Sequence, residues 1–223
     1  MPDGQYSFYL HSDDRTDIAA MATISTISQP LRGEFIRTAA TAGAVVYQVD
    51  ARLPALIPVF FAGQLSAVRL CAVMALVSGT WSSLTGLPDE PENGEAALPV
   101  SPETEYQRRR YTLTLQNGRS GERVESVLTE ASSRLRGDLL RNLIITGLAL
   151  HTTAPELPRL LASMPVPPTS VSELQALVQQ MAGTADVNRA AAAVPDTPAA
   201  SDVPVSGSDT REIKKNMRRA FGD

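Results

Sequence analysis

Apolar and polar residues alternate strictly near the start of the chain. Tyr6, Phe8 and Leu10 fall on one side, and Gln5, Ser7, Tyr9 and His11 on the other. The alternation returns a hundred residues later, with Tyr111, Leu113 and Leu115 inward and Arg110, Thr112, Thr114 and Gln116 outward. Period-two patterning rich in aromatic and β-branched residues predicts a half-buried strand at each place. A lone strand ahead of helices leaves its backbone groups unpaired, so each predicted strand needs a neighbour. The other one is the obvious candidate.

The second strand belongs to a longer repeat. Leu31-Arg32-Gly33-Glu34-Phe35-Ile36-Arg37 reappears as Leu135-Arg136-Gly137-Asp138-Leu139-Leu140-Arg141, a shift of 104 residues. The shift carries Gly43 to Gly147, Leu53-Pro54 to Leu157-Pro158 and Gly79-Thr80 to Gly183-Thr184, with a one-residue slip at the strands. A repeat of this kind makes the copies two halves of one symmetric object. Each copy predicts about four helices. The first spans 13–27 and 121–134, with Ser12 or Asp13, and Ser120, as N-caps. The second spans 34–48 and 138–151, with Phe35, Ala39, Ala42 and Val46, and Leu139, Leu143, Thr146 and Leu150, as its apolar face. Gly43 and Gly147 fall inside it, where glycine costs about 1 kcal/mol relative to alanine; the same cost in both copies predicts close helix–helix approach. Pro54 and Pro158 suit the first turn of a third helix. A fourth runs over 66–77 and 170–182, the latter opened by the capping-box match Ser170-Val-Ser-Glu173.

The expected fold is therefore mainly α, with two short strands pairing as an antiparallel ribbon. The domain plan is a first repeat at 1–87, an acidic linker at 88–105, a second repeat at 106–183, a disordered linker at 184–209, and a basic amphipathic tail at 210–223. The linker 184–209 is dominated by Ala, Pro, Val, Ser, Thr and Asp without a helical period. In the tail, Ile213, Met217 and Phe221 share one helical face, and Lys214, Lys215 and Arg218 lie on the other.

The formal charge of −4 conceals an uneven distribution. Residues 88–105 hold 6 acids and no base, residues 106–183 hold 9 bases against 6 acids, and the last 14 residues are +3. A mildly acidic total thus hides a basic second repeat and a basic tail. The single cysteine, Cys71, excludes a disulfide within the chain and reads as a small buried hydrophobe. Met1-Pro-Asp-Gly-Gln lacks the features of a secretory signal, so a cytoplasmic location is expected. Residues 53–77 are apolar, but Pro54, Pro58, Gln64 and Arg69 interrupt them; they predict core helices, with no membrane partner.

Strand, helix, turn and helix is the order of a ribbon-helix-helix DNA-binding unit, so the fold expected is a tandem of two such units. Paired strands of two units form a ribbon that fits the major groove of duplex DNA. The base-facing candidates are Gln5, Ser7, Tyr9, Arg110, Thr112 and Thr114. Arg32, Gly33, Arg136 and Gly137, at the start of each second helix, are candidates for phosphate contact through free amides and charge. Glu34 and Asp138 compete for those amides, and Arg37 and Arg141 are placed to pair with the acids.

The stretch from Arg37 through Gly43, Tyr47, Asp50 and Arg52 to Pro54 resembles the core helix and following turn of ParR-type plasmid partition adaptors, also called StbB-like plasmid stability proteins. The ending Arg211-Glu-Ile-Lys214-Lys215-Asn216-Met217 is similar to that family's C-terminal segment. The resemblance implies an adaptor that binds centromere-like direct-repeat DNA through a ribbon-helix-helix fold and self-associates into an array on it. It further implies a tail that captures an actin-like ParM-type ATPase filament; Ile213, Lys214, Lys215, Met217, Arg218 and Phe221 would form that contact. The chain departs from the family's usual member in carrying two copies, which makes a single-chain pseudo-dimer with one tail. Alternatives are a ribbon-helix-helix repressor or antitoxin, and an architectural helical protein without a nucleic-acid role. No enzyme and no cofactor are expected: His11 and His151 are the only histidines, and neither glycine-rich phosphate loops nor metal-ligand spacings occur.

Overall fold

The computed structural model describes residues 4–80 and 108–192, with side chains as far as Gly183. Strand β1 (Gln5–His11) leads into helices α1 (Arg15–Ser25), α2 (Arg32–Val49), α3 (Leu53–Phe60) and α4 (Ala67–Ser78). Strand β2 (Arg108–Thr114) then leads into α5 (Arg119–Glu130), α6 (Arg136–Thr153), α7 (Leu157–Ser163) and α8 (Val171–Ala192). A 3₁₀ turn at Gln29–Leu31 sits between α1 and α2. The linker 88–105, residues 193–209 and the tail 210–223 lie outside the described residues.

The strands pair antiparallel, with Tyr6 opposite Leu113, Ser7 opposite Thr112 and Phe8 opposite Tyr111. Phe8, Leu10, Leu113 and Leu115 are buried beneath this ribbon, as the alternation requires. Phe8 and Tyr111 stack with ring centroids 5.2 Å apart. The halves interlock rather than merely touch. Helix α2 packs on α6, and it also meets β2, α5 and α7; α6 meets β1, α1 and α3 in the same way. Each second helix is thus surrounded by the other copy's elements, and one hydrophobic core runs through both copies.

This interlocking explains where the expected apolar faces were too narrow. Ile36 and every residue from Ala39 to Val46 are buried in α2, and α6 buries Leu140 and Leu143–Leu150. A helix covered on all sides shows no stripe. Gly43 and Gly147 lie where the two helices cross: a Cβ on Gly43 would come within 2.8 Å of the Leu143 Cα, and one on Gly147 within 2.6 Å of the Ala39 carbonyl carbon.

Several boundaries differ from expectation. The N-cap of α1 is Asp14, whose carboxylate accepts the Asp17 amide at 3.0 Å, not Ser12 or Asp13. Gly118 caps α5 without a side chain, and Ser120 lies inside the helix, donating to the Ala162 carbonyl. The first helices end sooner than predicted, at Ser25 and Glu130. Pro54 and Pro158 do occupy the first turns of α3 and α7. Ser170 Oγ accepts the Glu173 amide, and the Glu173 carboxylate reaches back to the amide of Thr169 at 2.8 Å and, more weakly, to that of Ser170. Those contacts to the Thr169 amide and hydroxyl hold its carboxyl below the usual range. Helix α8 continues to Ala192, into the stretch read as a disordered linker. Its run of alanines has high intrinsic helix propensity, which an argument from amphipathic period overlooks.

Candidate nucleic-acid interface

Cross-strand partners share a face of the ribbon, so the register fixes which side chains stand together. Gln5 and Thr114, Ser7 and Thr112, Tyr9 and Arg110, and His11 and Arg108 form the outward row. All six base-facing candidates, Gln5, Ser7, Tyr9, Arg110, Thr112 and Thr114, therefore lie on one surface. Arg110 leans across it and donates to Ser7 Oγ at 2.9 and 3.2 Å. Arg108 extends this row beyond the strand that the alternation from Arg110 predicts. Its guanidinium carbon lies 3.5 Å from the centroid of the Tyr9 ring, a cation–π stack. The signal that would have found it was the Arg108-Arg109-Arg110 run, whose odd and even members take opposite faces. Arg109 takes the other face, opposite Leu10, and sits 5.2 Å from the Tyr111 ring. Burial pushes the Tyr111 hydroxyl up, and the charges of Arg109 and Arg32 partly offset this. No carboxylate among the described residues forms an ion pair with Arg108, Arg109 or Arg110.

The two second-helix N-termini differ in their approach to this ribbon. A Cβ on Gly137 would be 3.5 Å from the Ser7 carbonyl oxygen, whereas Gly33 faces only the end of the Arg37 side chain, 3.9 Å away. Arg32 and Arg136 turn their guanidinium groups to another purpose. Arg32 donates to the carbonyls of Ile27 at 2.8 Å and Ser25 at 3.3 Å, and Arg136 to that of Ala131 at 3.2 Å. Both thereby satisfy carbonyls left open where the first helix of their copy ends.

The following arginines diverge. Arg37 pairs with Glu34 at 2.6 Å, as anticipated. Arg141 ignores Asp138 and crosses to the other copy, contacting Asp17 at 2.6 Å and Asp14 at 3.1 Å. Asp17 is almost fully buried and also accepts the His11 amide at 2.8 Å. Burial raises its carboxyl above the usual value of 3.8, although the His11 amide and Arg141 pull it back. The slip between copies explains the difference. Counted from the matching Leu10 and Leu115, four residues (His11–Asp14) precede α1 but only three (Gln116–Gly118) precede α5. The shorter loop draws the Gln116 carbonyl onto Gly121, the counterpart of Asp17, leaving no room for a Cβ. Gly118 meets the tight turn with φ 134°, a conformation that favours glycine. Arg37 accordingly has no counterpart of Asp17, and its buried Nε meets no acceptor among the described residues.

The tail candidates Ile213, Lys214, Lys215, Met217, Arg218 and Phe221 lie outside the described residues. No helix among the described residues is long and apolar enough to cross a membrane.

Together, fold and surface define a mainly helical protein of two interlocked copies that presents a basic, polar two-stranded ribbon. A family model described as "Plasmid stability protein" matches residues 4–74 and again 109–178, one match on each copy. The chain belongs to this plasmid stability family, and its family domain is duplicated. No curated protein and no solved structure gives a significant match.

Proposed function

We propose that this protein is a non-enzymatic plasmid partition adaptor: it binds centromere-like repeat DNA through the β1–β2 ribbon and joins it to an actin-like ATPase filament through its C-terminal tail. One observation carries the DNA half. An antiparallel ribbon exposes a row of polar side chains and two arginines, with the N-terminus of α6 against it, and such a ribbon has the width of the major groove. The interlocked helices fit a tandem ribbon-helix-helix unit, which needs both copies to close its core. The family assignment supports a role in plasmid maintenance.

Self-association on the DNA is supported by a second surface. Leu56, Val59, Phe60, Val68 and Leu76 of α3 and α4 are exposed, while at three of the equivalent positions the second copy has Ser163, Ser172 and Gln180. The filament half rests on the amphipathic sequence of the tail, whose apolar residues suit a groove and whose basic residues suit an acidic rim. The ribbon alone serves a repressor equally well, so the tail decides between the two readings.

The test is a gel shift with the duplex flanking the gene, repeated with an actin-like ATPase encoded beside it. The full chain should shift the DNA and recruit the ATPase, and a chain lacking 210–223 should shift the DNA alone. No shift with any flanking duplex would remove the proposal. Recruitment that survives the truncation would remove the tail's role.

A further inference from the structure

The register contains a pseudo-dyad. At the strands the copies are offset by 105 residues, so Ser7 corresponds to Thr112, Tyr6 to Tyr111 and Phe8 to Leu113. Ser7 and Thr112 face each other, and the Tyr6–Leu113 and Phe8–Tyr111 pairs are exchanged by a half-turn about that point. The outward row therefore has two ends that the half-turn would superimpose. Gln5 is the counterpart of Arg110, and Thr114 the counterpart of Tyr9.

The two ends are chemically unlike. One carries Tyr9 beside Arg110, then His11 beside Arg108, with Arg108 stacked on Tyr9. The other carries Gln5 beside Thr114 and no charge among the described residues of the row. The backbone is thus close to two-fold symmetric while its reading surface is not. A homodimer is bound to present the same groups at both ends; a duplicated chain is free of that constraint.

The geometry points to a ribbon that binds a non-palindromic site in one fixed orientation, with the Arg108–Arg110 end on a half-site containing guanine and the Gln5–Thr114 end on an A·T half-site. This rests on the DNA-reading proposal above. Guanidinium groups bind the O6 and N7 acceptors of guanine in pairs. A glutamine amide matches the N6 and N7 of adenine, and a threonine methyl packs against the methyl of thymine. Each bidentate match discriminates against the wrong base by roughly ten- to a hundredfold. Arg110 and Gln5 are exposed, so exchanging them alters the surface without disturbing the core.

The experiment selects duplexes from a random-sequence pool with the full chain and with two variants. The parent should enrich a non-palindromic consensus with guanine on one side only. Gln5→Arg should bring guanine into the other half as well, and Arg110→Gln should lower the guanine preference in the half where it stood. A palindromic parental consensus, or one that neither substitution changes, overturns the inference while leaving DNA binding in place. Failure of the parent to enrich any duplex removes the DNA-reading proposal itself, and the inference with it.

Discussion

The backbone of Leu143 occupies the space that a side chain on Gly43 would need, and the backbone of Ala39 stands in the same relation to Gly147. Residues 39 and 43 correspond to 143 and 147, so a single contact is made twice across the α2–α6 crossing. Each second helix can lie that close to the other only where both lack a Cβ.

Gly43→Ala and Gly147→Ala should each therefore destabilise the fold, despite alanine's better helix propensity. The obstruction is backbone, which cannot rotate aside, and overpacking of this kind typically costs about 1–3 kcal/mol. Gly33→Ala is the control, because its surroundings are open. Urea denaturation of the three variants measures the difference. A Gly43→Ala protein as stable as the Gly33→Ala protein would show that the helices do not cross there.

How much of this was legible in the sequence depends on the physics of each element. The ribbon was legible because one face is wet and the other dry, leaving a period of two in Tyr6–Leu10 and Tyr111–Leu115. The Gly43 and Gly147 crossing was legible because an unfavourable residue recurred at matching places. The burial of the centre of α2, Ala39–Val46, on every side was not, since a run of small and apolar residues carries no directional signal. The Asp17–Arg141 pair joins residues 124 apart, and nothing local announces it. Its absence from the second half follows from one missing loop residue, visible in the sequence only as a slip in the repeat. Arg32 stands before a helix, where a phosphate ligand would, and its bonds to the carbonyls of Ser25 and Ile27 follow from how α1 ends, which no local pattern announces.

Arg141→Ala should be much more damaging than Asp17→Asn. Removing the arginine leaves a buried carboxylate uncompensated, which costs about 3–5 kcal/mol. Asparagine at 17 can still accept the His11 amide, and Arg141 retains Asp14. The pH dependence has a definite sign. Asp17 titrates above 3.8 in the folded protein, so its contribution to stability falls as pH rises from about that value through the folded pKa. Without Arg141 one restraint on that rise is gone, and the window widens upward. The stability gap between Arg141→Ala and the parent should thus be smaller at pH 4 than at pH 7. A gap independent of pH, measured by urea denaturation, would contradict the burial of an ionised Asp17.

Cys71 offers a probe of the same core. It lies in α4, is buried, and hydrogen-bonds with Gln179 of α8, while burial pushes its thiol up from the ordinary value. A thiol that is both shielded and protonated reacts slowly. Maleimide labelling at pH 7 should therefore proceed at the rate of local opening and become fast in denaturant. Prompt labelling of the native protein would show that the α4–α8 contact does not persist.

Two arginines separate DNA reading from structural support. Arg110 is exposed on the outward row and its guanidinium hydrogen-bonds to Ser7 Oγ, so Arg110→Ala should leave the thermal midpoint close to the parent's while weakening binding to the cognate duplex by about 1–3 kcal/mol. Arg32 is committed to the carbonyls where α1 ends. Arg32→Ala should lower folding stability by about 1.5–3 kcal/mol, in the range of hydrogen bonds from charged donors, yet bind the cognate duplex with parental affinity under conditions where both proteins are folded. Thermal melts and binding titrations at one fixed salt concentration give both quantities, the fixed salt being essential because phosphate contacts make affinity salt-dependent. If Arg32→Ala weakens binding as much as Arg110→Ala does, its guanidinium must leave Ser25 and Ile27 for a phosphate when DNA arrives. If Arg110→Ala alters neither quantity, the ribbon's outward face takes no part in recognition.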